Sequence, residues 1–363
     1  MPRSSFGARV VAWQRAHGRH DLPWQCTRDP YRVWVAEVML QQTQVATVRG
    51  YYDRFLARFP DVQTLAAAPL EDVLRAWAGL GYYARARNLH ACAQAVVERY
   101  GGVFPRSAAA LQQLPGIGRS TAAAIAAFCF NERAAILDGN VRRVLSRHFG
   151  IAGDLTTAAV QRRLWQLAES LLPRAADMPA YTQGLMDLGA TVCVRAAPRC
   201  EVCPLASTCY ARRQGRAAQL PAPRARRAVA LRRTHWLLAV CRGAILLVRQ
   251  PLRGLWGGLL APPQFPSAAA ARVAARALGG GSALQRLPAV RHAFTHFTLL
   301  ATPHLILLVQ QPPRAATLHE QWLPLHEVEE AALPAPVKTL LRTVATRYSG
   351  STPNATRKRE TML

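Results

Sequence analysis

Between residues 193 and 209 the chain reads CVRAAPRCEVCPLASTC, with its cysteines spaced C-x6-C-x2-C-x5-C. Four thiols this close must be gathered by a loop that folds around a common point, as a disulfide pair, a zinc site or an iron-sulfur cluster. The N-terminal stretch MPRSSFGARVVAWQRAHGRH lacks the apolar core of a secretory signal, so a cytoplasmic setting is expected, and there clustered thiols serve as metal ligands rather than disulfides. Zinc ribbons and fingers usually offer two close pairs, whereas here there is a single C-x-x-C. The spacing therefore suits a cubane, each thiolate reaching a different iron, while zinc remains open. The other cysteines, Cys26, Cys92, Cys129 and Cys241, stand in apolar contexts and are expected to pack.

The chain has 363 residues, long enough for two domains, and the hydrophobic period changes along it. Residues 1–215 carry helical apolar patterns broken by short Pro and Gly turns. Residues 216–233, rich in Arg, Ala and Pro, have no apolar face and read as a linker. Over 234–347, THWLLAVCRGAILLVRQ reads as two strands around an Arg-Gly turn, AAAARVAARAL as a helix and HFTLLATPHLILLVQ as a further strand region. The polar tail 348–363 is expected to be disordered. The fold class is thus an all-α domain followed by an α/β domain. No apolar run is long enough to cross a bilayer.

The formal charge of +26 makes a polyanion the natural partner, because arginines neutralise phosphates and release counterions. Lysine stands only at 338 and 358, so a general bias toward arginine competes with that reading. In LQQLPGIGRSTAAAIAAF, Pro115 ends one helix, Gly116 and Gly118 permit positive φ, and a second helix begins near Ser120 or Thr121. Such a helix-hairpin-helix grips a DNA phosphate with backbone N–H groups and the positive end of a helix.

Taken together, LPWQ, EVMLQQTQVATV, GLGYYARARNLH, LPGIGRSTAAAI, ILDGNVRRVL, MDLGATVC, the cysteine loop, GLWGGLLAPPQF and RHAFTHFTL closely resemble the helix-hairpin-helix DNA glycosylases with an iron-sulfur loop, and among them the adenine DNA glycosylases of the MutY type. The resemblance spans nearly the whole chain. It implies a [4Fe-4S] cluster on Cys193, Cys200, Cys203 and Cys209, a Nudix-like C-terminal domain, and a monomer that excises adenine mispaired with 8-oxoguanine or guanine in double-stranded DNA.

Breaking an adenine N-glycosidic bond requires an acid to improve the leaving group and an anion to stabilise the cationic sugar. From local context alone, Glu37 in VWVAEVMLQQ is a carboxylate on a helix and Asp138 in ILDGN an N-cap at a helix starting about Asn140. The resemblance makes Glu37 the acid and possible water activator, Asp138 the oxocarbenium stabiliser and Asn140 a supporting polar contact. Apolar neighbours should raise the pKa of Glu37, and the helix macrodipole should keep Asp138 ionised. The resemblance also implies that Gln42 and Tyr82 enter the duplex where the base leaves, that Gly116, Gly118 and Ser120 meet the DNA backbone, and that Thr295 and His296 read the oxidised guanine. Trp24, Leu40 and Asp187 are candidates for the adenine pocket.

Three departures bear on the chemistry. Relatives that also cleave the backbone have lysine where Ser120 stands, and Arg142 stands where some have lysine, which argues against Schiff-base chemistry; Pro2 is the remaining candidate amine. The helix after GLWGG carries no acid, so a Mg²⁺ site for nucleotide hydrolysis is unsupported. Thr295 replaces the usual serine. A pyrimidine glycosylase with lyase activity and a non-enzymatic redox sensor are the competing readings, disfavoured by the missing lysine and by the retained carboxyls.

Overall fold

The computed structural model describes residues 5–222, 229–280, 284–294, 296–311 and 319–348. Thr295, Pro2 and the tail beyond Tyr348 lie outside them. The described residues pack as two units, one from Met1–Ala68 and Asn88–Arg226, the other from Pro69–Arg87 and Arg227–Leu363.

The first unit is helical. It opens with α1 (Phe6–His17), α2 (Pro30–Leu40), α3 (Val45–Arg58) and α4 (Val62–Ala67). The chain then contributes α5 (Leu70–Ala76) and the start of α6 (Ala84–Tyr100) to the other unit. It continues through α7 (Ala108–Leu111), α8 (Arg119–Phe130), α9 (Gly139–Phe149), α10 (Ala158–Ser170), α11 (Met178–Asp187) and the short α12 (Tyr210–Arg213) after the cysteine loop. An uninterrupted helical domain over 1–215 is thus corrected at Pro69–Arg87, a stretch whose helical period could not reveal which core it joins.

α2 forms the centre of the first unit. Asp29 caps it by accepting from the Tyr31 N–H at 2.9 Å, and Pro30 occupies the first turn, where its missing N–H is not needed. Tyr31, Val33, Trp34, Val35, Ala36, Val38 and Met39 are all buried, so the helix is apolar on nearly every side. α8 packs against it with a run of buried small residues, Ala122 to Ala127 with Ile125, which lets the two backbones approach closely.

The hairpin before α8 differs from expectation in three details. α7 ends at Leu111, ahead of Pro115. Gly116 has the expected positive φ of +74°, but Gly118 has φ −80° and serves as the extended N-cap of α8, which begins at Arg119. The linker is also shorter than 216–233. Leu220 is buried in the helical unit, its carbonyl accepting from Arg147 Nε at 2.7 Å, and β1 already begins at Ala230.

In the second unit β1 (Ala230–Cys241) and β2 (Ala244–Arg249) form the expected hairpin around Arg242 and Gly243, both at positive φ. β3 (Leu260–Ala261), β4 (Gln264–Phe265), α13 (Ala268–Ala277), β5 (Gln285–Arg286), β6 (Val290–Ala293), β7 (Phe297–Leu308), β8 (Glu320–Pro324) and α14 (Ala335–Tyr348) follow. The sheet is mixed. β1 and β7 run parallel from Ala230 opposite Phe297 to Cys241 opposite Leu308, and every other pairing is antiparallel. Leu237, Ala239, Ile306 and Leu308 from the sheet pack with Ala275 of α13 in one apolar cluster.

A Cβ on Gly116 would stand 2.6 Å from Asn88 Cβ in a backbone conformation unfavourable to L-residues, whereas a Cβ on Gly118 would meet nothing within 4 Å. Gly116→Ala is therefore expected to destabilise the protein by roughly 1–3 kcal/mol. Gly118→Ala should stay within about 0.5 kcal/mol of the parent. Denaturant midpoints of the two variants check this, and equal midpoints would contradict it.

Candidate active site

Glu37 is the one carboxyl of α2, and its side chain lines a cavity of about 240 Å³. Trp24, Gln25, Arg28, Phe128 and Gln183 share that wall. Trp24 is held edge-on against Tyr52, with ring centroids 5.3 Å apart. Gln25 Oε1 accepts from the Leu22 N–H, and its buried Nε2 has no partner among the described residues. Burial with no hydrogen bond to offset it pushes the Glu37 carboxyl up to about 8, and the neighbouring Asp138 charge adds to the shift.

Asp138 shares the burial but not the isolation. It is the N-cap of α9, and Oδ1 accepts from the Val141 N–H at 2.8 Å. Burial raises its pKa, while backbone N–H groups of Val141 and Asn140, then Arg143 and Arg142, act in the opposite direction. Of the two carboxyls, only Asp138 has groups around it that favour its charged form. The macrodipole argument captured this partner set but omitted the desolvation that outweighs it.

One guanidinium organises the surroundings of Asp138. Arg143 donates from Nη2 to Asn140 Oδ1 at 2.9 Å and to the Gly189 carbonyl at 2.6 Å, and from Nε to the Cys193 carbonyl at 2.7 Å. Asn140 thus faces Arg143, which links the start of α9 to the cysteine loop through a π-turn at Leu188–Val192. Gly189 seats that turn, since a Cβ there would lie 2.5 Å from Asn140 Cβ. Ser120 is also turned inward: its hydroxyl accepts from the Leu137 N–H at 3.0 Å, supporting the backbone just before Asp138 instead of facing outward.

The remaining candidates fall in different places. Gln42, after the end of α2, has φ +58°, and Tyr82, which belongs to the second unit and is 49% exposed, has φ +48°. Backbone strain in a polar or aromatic side chain concentrates at functional positions. Beside Gln42, Gln41 Nε2 donates to Thr121 Oγ1 in the first turn of α8. Leu40 closes α2 and does not line the cavity. Asp187 does not line it either. It is fully buried, and its oxygens accept from the Arg19 N–H at 2.9 Å, Arg19 Nε at 2.6 Å and Gln183 Nε2 at 2.8 Å, so it positions two cavity residues from behind. His296 is exposed. Gln25 and Gln183 were not singled out from the sequence, although LPWQ contains the first of them.

Cys193, Cys200, Cys203 and Cys209 are all partly buried free thiols; desolvation, and then the charges of the neighbouring thiols, raise the pKa of Cys200 and Cys203, which places the four close together. Among the described residues no three His, Cys, Asp or Glu side chains stand at the spacing of a single metal ion. Arg147, only 2% exposed, donates to the carbonyls of Cys193, Val194, Arg195 and Leu220 and lies 3.4 Å from Cys193 Sγ. Four clustered thiols, one of them against a buried guanidinium, fit the donor chemistry of an anionic cluster. Cys92 and Cys241 pack as expected, but Cys26 is exposed.

A helix-hairpin-helix unit with two half-buried, neighbouring carboxyls, one of them lining a base-sized cavity, defines a base-excision DNA glycosylase. Residues 35–170 match the HhH-GPD superfamily of base excision DNA repair proteins, and residues 235–343 match the NUDIX domain. The first unit resembles the structure of a thermostable thymine-DNA glycosylase, with TM-score 0.53 and 31% identity over 58% of this chain and 95% of that one. The adenine DNA glycosylase of Buchnera aphidicola subsp. Acyrthosiphon pisum is 33% identical over 94% of this chain and 98% of its own. The human enzyme of that name is 45% identical over 60% of this chain and 41% of its own. The chain belongs to the adenine DNA glycosylase family, with a helical glycosylase domain and a Nudix-like α/β domain. Among the described residues no helix is long and apolar enough to cross a membrane.

A carboxyl with a folded pKa near 8 binds a proton that the unfolded chain, with a value near 4.5, has lost. The folded state is therefore disfavoured progressively as pH rises through that window. Glu37→Gln removes the titration, so its melting temperature is expected to exceed that of the parent by an amount that grows from pH 5 to pH 8. A constant difference across that range would contradict the assignment.

Proposed function

We propose that this chain is a monofunctional glycosylase that hydrolyses the N-glycosidic bond of adenine paired with 8-oxoguanine or guanine in duplex DNA. The observation that carries this is a pair of unlike neighbouring carboxyls: Glu37, which lines the cavity and whose proton is retained by desolvation, and Asp138, which does not line the cavity but lies near enough to act on Glu37 and is held toward the charged form by a helix N-terminus. The cavity is on the scale of one flipped base. In it the unpartnered Gln25 Nε2 and the Gln183 amide supply the polar contacts that distinguish one purine edge from another.

In this mechanism the extruded adenine enters beside Trp24, and Glu37 donates its proton to a ring nitrogen as the glycosidic bond lengthens. The departing base takes the bonding electron pair. Positive charge develops on the sugar, where the Asp138 carboxylate stabilises it without solvent in between. Glu37, now ionised, accepts a proton from the attacking water, which completes hydrolysis. Asn140 and Arg143 hold the start of α9. No lysine stands in the helical unit to divert the sugar into a Schiff base.

Gln42 and Tyr82 occupy the space vacated in the duplex, a tyrosine stack contributing roughly 1–3 kcal/mol. Gly118, with open space where a side chain would be, admits a phosphate at the N-terminus of α8. His296, together with Thr295, donates to the edge of the oxidised guanine. The four loop cysteines would hold a [4Fe-4S] cluster, which would cross-link the loop that Arg143 and Arg147 join to α9.

Excision assays on duplexes with adenine opposite 8-oxoguanine, adenine opposite guanine, thymine glycol opposite adenine and thymine opposite guanine test the assignment. Only the two adenine substrates should react, and excision of either pyrimidine would overturn it. Glu37→Gln should slow single-turnover excision about 10²–10⁴-fold or more. A purine that leaves readily without protonation should partly rescue that variant but not Asp138→Asn. Equal rescue would mean the roles are misassigned. Anaerobically purified protein should contain about four irons per chain, and stoichiometric zinc without iron would refute the cluster.

A further inference from the structure

The stretch PLEDVLRAWAGLGYYARAR, residues 69–87, is helical in pattern yet packs with the α/β unit. It is seated there by polar contacts at three separate places. Glu71 Oε2 pairs with Arg249 Nη2 of β2 at 2.7 Å, and Arg249 Nη1 also donates to the Gly258 carbonyl at 3.1 Å. Arg87 Nη1 donates to the Gly257 carbonyl at 2.8 Å. The buried Tyr83 hydroxyl accepts from the Gly79 N–H at 3.4 Å and donates to the Leu333 carbonyl at 3.3 Å. Apolar packing follows the same line. Gly258 has φ +81°, and a Cβ there would stand 2.9 Å from Leu74 Cδ1, so the glycines of GLWGG form the floor on which Leu74 rests.

These contacts converge on the turn that carries Tyr82. The fully buried Trp77 donates from Nε1 to the Gly81 carbonyl at 3.1 Å. Arg85 Nη2 donates to the Leu80 and Gly81 carbonyls, each at 3.2 Å, and its guanidinium faces the rings of both Trp77 and Tyr82. Trp77 and Arg85 thereby close the turn, Arg85 also lying against the Tyr82 ring, and the half-exposed Tyr82 at φ +48° stands on a braced base. The Tyr83 hydroxyl is the group that joins this turn, at Gly79, to the C-terminal unit, at Leu333.

From this arrangement we infer that the α/β unit is the mount of the Tyr82 turn, with Tyr83 as its positioning residue and Arg87 and Glu71–Arg249 as flanking ties. The inference rests on the reading of Tyr82 as a side chain that enters the duplex. It gives the C-terminal domain a second task beside guanine recognition: it fixes the aromatic group that fills the space behind the extruded adenine. Removing that domain then impairs excision itself as well as the choice of opposite base.

The test uses the full-length protein and two independent measurements. Backbone hydrogen exchange over Gly79–Tyr82 should become faster in Tyr83→Phe, which keeps the buried ring, and in Arg87→Gln. Loss of one hydrogen bond of ordinary strength corresponds to roughly a two- to tenfold increase. Single-turnover excision of adenine opposite 8-oxoguanine should slow by a similar factor in Tyr83→Phe and much more in Tyr82→Ala. Tyr83→Phe should add nothing further in the Tyr82→Ala background, because a mount has no effect once its cargo is gone. Unchanged exchange in both variants overturns the mount. Additive rate effects overturn the claim that it acts through Tyr82. Normal excision by Tyr82→Ala would instead refute the insertion of Tyr82, with the exchange data still deciding whether the turn is seated on the α/β unit.

Discussion

The structure depends on keeping one carboxyl out of water. Glu37 sits on a helix whose other side chains are almost all apolar, packed against an alanine face of α8, and no hydrogen bond compensates its charge. Such a site is unfavourable for an ionised acid and favourable for a proton donor near neutral pH. The alanines of α8 and the aromatic wall around Trp24 supply that desolvation, and fuller solvation of Glu37 would lower its pKa.

The second carboxyl is handled by different means. Asp138 is nearly as buried, yet it accepts backbone hydrogen bonds at the start of α9 and has Arg142 and Arg143 nearby. Desolvation still raises the Asp138 pKa, but backbone hydrogen bonds and two arginines oppose it, whereas at Glu37 nothing opposes desolvation and the Asp138 charge adds to it. Arg143 extends this arrangement to Asn140, the π-turn and Cys193, and Arg147 gathers the carbonyls that follow. A buried guanidinium with every neighbour an acceptor is costly to remove, because several carbonyls would then be left unsatisfied at once. The cysteine loop is in this way part of the support of α9.

Much of this was legible in the residues. The change from helical to strand periodicity located the two architectures, the Arg-Gly pair marked a two-residue hairpin, and Asp before Gly-Asn marked an N-cap. What was not legible depended on tertiary neighbours. Pro69–Arg87 has the same helical pattern whichever core it joins, so its place with the strands could not be read from period. Gly118 was expected at positive φ, but as an N-cap it needs only extended backbone; its small size matters for the open space, not the angle. Cys26, expected to pack, is exposed, in keeping with its polar neighbours Gln25, Thr27 and Arg28. Asp187 looked like a pocket residue and instead holds Arg19 and Gln183 from behind, while Gln25 faces the cavity from a motif in which the tryptophan drew attention. The linker was drawn too long because its first residues carry no apolar face, yet Leu220 is captured by Arg147 through its carbonyl, a backbone contact without a side-chain signature.

The central claim is that Glu37 carries the proton while Asp138 carries the charge. Isotope-edited carbon NMR of glutamate carboxyls, compared between the parent protein and Glu37→Gln, isolates the Glu37 signal and follows it with pH. The account predicts a carboxyl still protonated at pH 7 that titrates at about 8, and whose pKa falls, while staying above that of an exposed glutamate, when Asp138 is changed to Asn. A Glu37 signal already ionised at pH 6, or one indifferent to Asp138→Asn, would contradict it.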